Sequence, residues 1–419
     1  MTFTRFPYRW RIVALLFFLS VINYLDRQTL SVLAPTLRAE LGFTTVEYSY
    51  IVTSFLVAYT IGYLFCGAVI DRLGVKLAVV VALSAWSLAG LVHAFAAGWI
   101  ALAVCRFALG LGESFNAPCG IKGIAEWIPR RERGLSMAIF SNGNIVGAIL
   151  APPLVSFAAI RFGWQWGFLV TGTLGFVYLL VWLAFYDSPE KQPRLPAAER
   201  DYILQERGSA GATQKLSLLQ AMRHPAVIGF FTARLLTDSL SFFFSFWLPE
   251  YLQNARGFSL TMIGLFAWIP FLASDIGGPG GGALSDWLVR RGWKPVDARR
   301  RMMLVAACLM PCSLLAVHAN SAYVALAFIA VLLAAQSCWM SNILTLMSES
   351  FPREQLATYV SLCSIGGSIG GIISTLLAGN IIHRVGYVPV FTALGFLHLT
   401  GYGLIVFFSR RAATRALVP

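Results

Sequence analysis

Charge is scarce in this sequence. Only 12% of its 419 residues are Asp, Glu, Lys or Arg, about half the share a soluble domain carries. Acid is scarcer than base, 19 residues against 32, and there are five histidines. The seven cysteines (Cys66, Cys105, Cys119, Cys308, Cys312, Cys338 and Cys363) all fall in apolar stretches. Cys308 and Cys312 share a helix face but lack His or acidic neighbours to complete a metal site, so all seven read as packing residues. No nucleophile–base set stands out either. Metal centre, cofactor and enzyme active site are therefore not expected, and neither is a soluble fold. What is there is apolar: 58% hydrophobic residues and a mean hydropathy of +0.71. This is the composition of a polytopic membrane protein.

Apolar runs of about 20 residues, marked off by charged loops, predict membrane-spanning helices. They lie near 10–35, 46–70, 77–96, 99–122, 133–158, 164–186, 225–252, 260–284, 301–319, 322–347, 356–381 and 387–409. The basic start and first run superficially resemble a signal peptide, but the run is too long, contains Asp26 and Arg27, and has no small-residue cleavage site. It reads as an uncleaved first span. Twelve spans sort the 32 basic residues: Arg27, Arg106 and Arg234 lie within the membrane, Arg38, Arg161, Arg256 and Arg384 on the far side, and the other 25 on the side of the N-terminus. Basic residues collect in cytoplasmic loops, which places both termini in the cytoplasm. The net charge of +13 is then a matter of topology, and nucleic acid is not an expected partner.

One long polar stretch, Asp187 to Arg223, separates the sixth span from the seventh and contains a short amphipathic segment at Ala197–Leu204. It divides the chain into a six-helix bundle over 1–186, a cytoplasmic central loop over 187–224 and a second six-helix bundle over 225–419. The halves repeat. Gly67-Ala-Val-Ile-Asp71-Arg72 follows the second span, and Gly282-Ala-Leu-Ser-Asp286 follows the eighth, 215 residues later. Glu126-Trp-Ile-Pro129-Arg130 precedes the fifth span, and Glu349-Ser-Phe-Pro352-Arg353 precedes the eleventh, 223 residues later. Nearly equal offsets point to duplication of one six-helix unit.

The membrane charges need a reason, because each costs roughly 2.5–3.5 kcal/mol to insert. Asp26 and Arg27 are neighbours on the first span and point about 100° apart, so each needs its own partner. Arg106 and Glu113 lie two turns apart on the fourth span and face one direction. Together they are two acids and two bases. An arginine binds a carboxylate through a planar fork, and a carboxyl group removed from water favours its neutral form. Such a set can hold an anion and a proton at once. Arg234 and Asp238, at i,i+4 on the seventh span, form a possible second charge pair. Asp275, followed by Gly277, Gly278 and Pro279, lies near a wet helix end, and His398 reads as a packed or peripheral residue. Polar groups inside apolar helices suit a polyhydroxylated ligand: Tyr24, Tyr59, Ser141, Asn142 and Asn144 from the first half, and Gln336, Trp339, Ser341, Asn342, Ser364 and Ser368 from the second. Each alone is equally good interhelical glue.

The loop Gly67-x-x-x-Asp71-Arg72-x-Gly74-x-Lys76, with the long central loop and the repeat, resembles the major facilitator superfamily over essentially the whole chain. The resemblance implies an all-α membrane protein with 12 transmembrane helices in two six-helix bundles that rock around a central site. Asp71, Arg72, Glu126, Arg130, Asp286, Glu349 and Arg353 would then be gating residues, with Asp71 and Arg72 pairing to Glu126 and to Arg130, Arg131 or Arg133. Asn23-Tyr-Leu-Asp26-Arg27, Arg106 with Gly110-x-Gly112-Glu113, and Glu126-Trp-Ile-Pro129 resemble the anion:cation symporter family. That resemblance implies proton coupling at Asp26 and Glu113 and substrate binding at Arg27 and Arg106. Tyr24, Tyr59, Asn144, Gln336, Trp339, Asn342 and Ser364 complete the expected substrate set.

Glu47-Tyr-Ser-Tyr-Ile51, Ala58-Tyr59-Thr60, Gly147-Ala-Ile-Leu-Ala-Pro-Pro-Leu154, Arg234, Phe266-Ala-Trp-Ile-Pro270 and Asp275 look like the bacterial hexuronate transporters. Asp26 is the departure that matters. An acid before this arginine suits galactonate-type relatives, so uronate, aldonate and aldarate all stay open. The expectation is a monomeric, proton-coupled importer of galacturonate or glucuronate in the bacterial inner membrane, with protons as coupling ion. An organic-anion or drug exporter and a non-transporting sensor are the alternatives.

Overall fold

The computed structural model describes residues 7–129, 132–206, 222, 224–351 and 356–416. Within lipid a backbone must satisfy its own hydrogen bonds, and the described residues are accordingly helical, with no β-strand among them. Among the described residues, eleven helical stretches, some made of two consecutive helices, are long and apolar enough to cross a membrane.

The helices are α1 (Tyr8–Leu41), α2 (Thr45–Val92), α3 (Trp99–Glu113), α4 (Asn116–Trp127), α5 (Arg133–Phe162), α6 (Gln165–Phe185) and α7 (Ala197–Glu206). There follow α8 (Pro225–Asn254), α9 (Leu260–Phe266), α10 (Ile269–Arg290), α11 (Pro295–Leu309), α12 (Cys312–His318), α13 (Ala322–Ser350), α14 (Leu356–Val385) and α15 (Val388–Ala416). The second and third expected spans share α2, and the break between them is Gly74, with φ 75° and ψ 163°. An L-residue is strained at that positive φ, which makes glycine the natural hinge. Eleven helical stretches among the described residues, one of them carrying two spans about Gly74, thus accommodate the twelve expected spans.

Contacts divide the chain into two units. The first holds Met1–Phe43, Tyr50–Gly211 and Leu260–Trp268, and the second Thr44–Ser49, Ala212–Ser259 and Ile269–Pro419. Each unit draws two helices together on small residues. In the first, a Cβ at Gly147 of α5 would lie 2.4 Å from the Val21 carbonyl of α1. In the second, a Cβ at Gly370 of α14 would lie 1.9 Å from the Leu235 carbonyl of α8. Neither position admits a side chain, so backbones meet there as they do in small-residue membrane packing. Large apolar side chains face outward, such as Leu64 and Leu180 in the first unit and Ile276 in the second.

The described part of the central segment is built onto the first unit. A helix start exposes unpaired N–H groups, and a carboxylate there also meets the helix dipole favourably. Glu199 of α7, 2% exposed, accepts hydrogen bonds from the backbone N–H groups of Tyr8 (2.9 Å) and Arg9 (3.2 Å) at the start of α1. The Arg9 guanidinium bridges Glu199 and Glu132, at 3.0 and 2.9 Å. Trp127 Nε1 donates to the Asp187 carbonyl, and Lys76 pairs with the Asp187 carboxylate at 2.8 Å. Burial alone would raise the Asp187 carboxyl. The hydrogen bonds from Lys76 and Ser188 N–H, with the lysine charge, carry it below its ordinary value.

In the second unit Arg256 performs a comparable closure. It donates to the carbonyls of Ala316, Val317 and Ala319 at the end of α12, at 2.6–2.7 Å, and to the Tyr251 hydroxyl at 2.7 Å.

Candidate functional site

The four membrane charges of the first unit converge. Asp26, Arg27, Arg106 and Glu113 are 3%, 8%, 2% and 0% exposed, too little for water to solvate them. As their angular separation requires, Asp26 and Arg27 turn to different neighbours. Both Nε and Nη2 of Arg27 lie 2.8 Å from one oxygen of Glu113, Oε2, on α3. Arg106, on the same face of α3, donates through Nη1 to the Arg27 carbonyl at 3.1 Å. One α3 side chain therefore holds the arginine's charge and another its backbone.

Three rings surround the Arg27 guanidinium: Tyr24 at 4.6 Å, Tyr59 at 4.8 Å and Phe55 at 5.1 Å, centroid to carbon. Phe55 also lies 5.9 Å from the Arg106 guanidinium. Ring faces attract cations and leave the fork open only along its edge. Glu113 presents that edge with a single oxygen, and its Oε1 has no hydrogen-bond partner among the described residues.

Asp26 looks the other way. Its Oδ1 lies 3.8 Å from where a Cβ at Gly90 of α2 would stand, and the Thr171 hydroxyl of α6 lies beside it. Neither carboxylate oxygen accepts a hydrogen bond among the described residues. Burying a carboxylate without an ion-pair partner is costly. Asn144, half-buried on α5, is brought to α1 by the glycine contact at Gly147 but makes no hydrogen bond through Oδ1 among the described residues.

The second unit gathers its expected residues into two groups. Arg234 pairs with Asp238 through Nη2 (2.7 Å) and Nε (3.1 Å), both to Oδ2, and donates through Nη1 to Ser364 Oγ at 2.7 Å. Gln336 is filled by protein partners: Nε2 donates to Ser241 Oγ at 2.8 Å and to the Thr237 carbonyl at 3.3 Å, while Oε1 bonds His398 Nε2. His398 is fully buried, with its ring edge-on to Trp339 at 5.1 Å, which makes it a packed residue. Trp339 Nε1 and Asn342 Oδ1 have no partner among the described residues, and Asn342 Nδ2 donates to the Cys338 carbonyl of its own helix. Asp275 is half-buried on α10.

The expected gating residues make several contacts among the described residues. Asp71 is bound by Lys122 at 2.7 Å, and Arg133 donates to the Ile128 and Ala125 carbonyls. Arg72 is exposed and Glu126 half-buried on α4. Asp286 and Glu349 are joined by Arg299, at 2.6 and 3.4 Å. Arg130 and Arg353 lie outside the described residues.

Four participants escape sequence reasoning. Phe55 is one, although its i,i+4 spacing to Tyr59 was a usable signal. Lys122 and Arg299 read there only as charges of the basic side. His93, at the end of α2, is 1% exposed, donates from Nδ1 to the Ala89 carbonyl at 2.6 Å and stacks on Phe168 at 5.0 Å.

Comparison with known proteins bears on both fold and site. The Major Facilitator Superfamily model matches residues 16–298 and 296–419. The chain is similar to the hexuronate transporter of Escherichia coli (strain K12), 32% identical over 397 residues, 94% of this chain and 92% of that protein. It is also similar to the galacturonate transporter of Dickeya chrysanthemi, 37% identical over 272 residues, 64% of this chain and 79% of that protein. Among solved structures it shares the fold of the D-xylose-proton symporter, with a TM-score of 0.74 at 16% identity over 96% of this chain and 97% of that one.

Proposed function

Because this chain belongs to the Major Facilitator Superfamily, and is a multi-pass membrane transporter rather than an enzyme, we propose that it imports hexuronates such as galacturonate and glucuronate by proton-coupled symport and alternating access. Its setting in this reading is the bacterial inner membrane, as a monomer with both termini cytoplasmic. The names of its relatives supply the substrate class. One observation carries the mechanism: Arg27 sits among three aromatic rings with a single Glu113 oxygen on its fork, while Asp26, one residue away, has no ion-pair partner and only the Thr171 hydroxyl beside it among the described residues.

Glu113 acts as a stand-in for the substrate carboxylate. When the substrate's carboxylate takes the fork of Arg27, Glu113 loses its cation and binds a proton. One anion entering with one proton leaves the net charge of the site unchanged. Asp26 holds a second exchangeable proton on the side of α2 and α6. Arg106 steadies the Arg27 backbone during the exchange. Tyr24, Tyr59 and Asn144 meet sugar hydroxyls in the first unit. In the second, Trp339 and Asn342 have polar atoms to offer, whereas Gln336 and Ser364 act by fixing His398 and Arg234. One anion crossing with one proton moves no net charge, so the pH gradient drives accumulation, about tenfold per pH unit.

Asp26 favours a second reading within the same chemistry, an aldonate or aldarate as substrate. The experiment that separates them is uptake into proteoliposomes with an imposed proton gradient, run in parallel with thermal stabilisation of the detergent-purified protein by galacturonate, glucuronate, galactonate and glucarate. A ligand at 100 times its Kd stabilises the protein by about 2.7 kcal/mol. Stabilisation by uronates alone, with gradient-driven uptake, is expected. Stabilisation by galactonate or glucarate alone replaces the substrate, and uptake indifferent to the gradient rejects the coupling.

A further inference from the structure

A groove of about 350 Å³ runs along the first unit between the start of α1 and the end of α6. Transport of a sugar acid has no use for it, since its walls are apolar. Tyr8, Arg11, Leu15 and Phe18 line it from α1, and Tyr178 and Phe185 from α6. At its floor the Tyr178 hydroxyl donates to the Leu15 carbonyl, which joins the two helices. Phe18 and Phe185 stay 53% and 47% exposed.

One end of the groove is cationic. The Arg11 guanidinium lies 5.5 Å from the Tyr8 ring, and that of Arg194 lies 4.9 Å from the Phe185 ring. Both cations stand near the Tyr8 phenol, whose hydroxyl is donated to the Phe185 carbonyl at 3.1 Å. Neither arginine has an ion-pair partner among the described residues. From Tyr8 to Phe18 the helix rises about 15 Å, half of a hydrocarbon core roughly 30 Å thick. The groove therefore runs from a doubly cationic mouth through one leaflet's depth of apolar wall.

We propose that this groove is a binding site for an anionic phospholipid, with the phosphate on Arg11 and Arg194 and one acyl chain laid between α1 and α6 as far as Phe18. Lipid tails wet any outward apolar surface. A concave surface ending in two guanidinium groups without ion-pair partners among the described residues selects in addition for headgroup charge. Two such cations imply roughly 30-fold preference for an anionic over a zwitterionic lipid. The site is independent of which sugar acid is transported.

The test titrates the delipidated full chain in detergent with phosphatidylglycerol or phosphatidylcholine of equal chain length, counting bound lipid by native mass spectrometry. Wild type is expected to bind phosphatidylglycerol roughly 30-fold more tightly. Arg11→Glu with Arg194→Glu should abolish the preference, and the milder Arg11→Gln should reduce it about fivefold if the double variant does not fold. Ala14→Trp, which fills the groove, should weaken both lipids, and Arg161→Glu, an exposed arginine elsewhere, should leave the preference intact. Equal binding of the two lipids by wild type overturns the proposal, as does a preference that survives charge reversal. Protection by inorganic phosphate equal to that by phosphatidylglycerol also overturns it, since the acyl chain would then contribute nothing.

Discussion

The two units treat buried charge differently. The second keeps its pair on one helix: Arg234 and Asp238 are four residues apart, and Ser364 of α14 accepts the remaining donor. The first unit stretches its pair over 86 residues, from Arg27 on α1 to Glu113 on α3. It then leaves a second carboxylate, Asp26, without an ion-pair partner among the described residues. A pair at i,i+4 forms as soon as its helix does and has nothing to do beyond satisfying itself. A pair across helices can be opened by a competing anion, and a carboxylate outside any ion pair can exchange a proton without breaking one. On the proposed mechanism, one unit's charges serve structure and the other's serve chemistry.

The contrast can be broken at four places. Arg234→Ala should be the most damaging to the fold, by about 3–5 kcal/mol, because it strands Asp238 in a buried position. Combining Arg234→Met with Asp238→Leu should restore most of that loss in thermal unfolding. A double variant that is stable yet unable to bind substrate would show that the second pair is functional and erase the distinction. Arg27→Lys should weaken substrate binding about 100-fold, since a point charge replaces a fork. Calorimetric titration showing unchanged affinity would take Arg27 out of the anion site.

Asp26→Asn should keep substrate exchange between vesicle faces but lower accumulation driven by a pH gradient, which in the wild type is about tenfold per pH unit. Wild-type uptake should rise as outside pH falls, and the variant's should lose that dependence. Its melting temperature should hardly move, since no ion pair is removed; a large drop would mean that Asp26 is structural. Smallest is Lys122→Ala, which opens a pair whose Asp71 side chain is 78% exposed. Exposed pairs contribute about 0.2–1 kcal/mol, so stability should change little while the transport rate responds. An unchanged rate would leave Asp71 no gating role.

The spans were legible because a lipid-crossing helix announces itself by composition, and their predicted limits fall within a few residues of the helices in most cases. Arg106 and Glu113 were legible as one face because seven residues make two turns, and both do turn toward α1. Partner identity was not. Glu113 and Arg27 are separated by two intervening loops, and nothing local in either segment names the other. Arg9, Lys122 and Arg299 carry ion pairs in the structure, yet in sequence they are indistinguishable from the many basic residues that topology alone requires. Phe55 was hidden by its surroundings, since an aromatic residue in an apolar run is packing by default. Gln336 and Ser364 had the chemistry of substrate ligands, and only coordinates reveal that protein groups already use it.

The cap that Glu199 provides for α1 also has a consequence in time. Tyr8 and Arg9 precede their carboxylate partner by 191 and 190 residues. A ribosome adding about 5–20 residues per second needs roughly 10–40 s to cover that distance. α1 therefore waits, its leading N–H groups and Arg9 without Glu199, until five further crossings have been made. The latch closes only once those crossings exist, and so works as a checkpoint on their assembly.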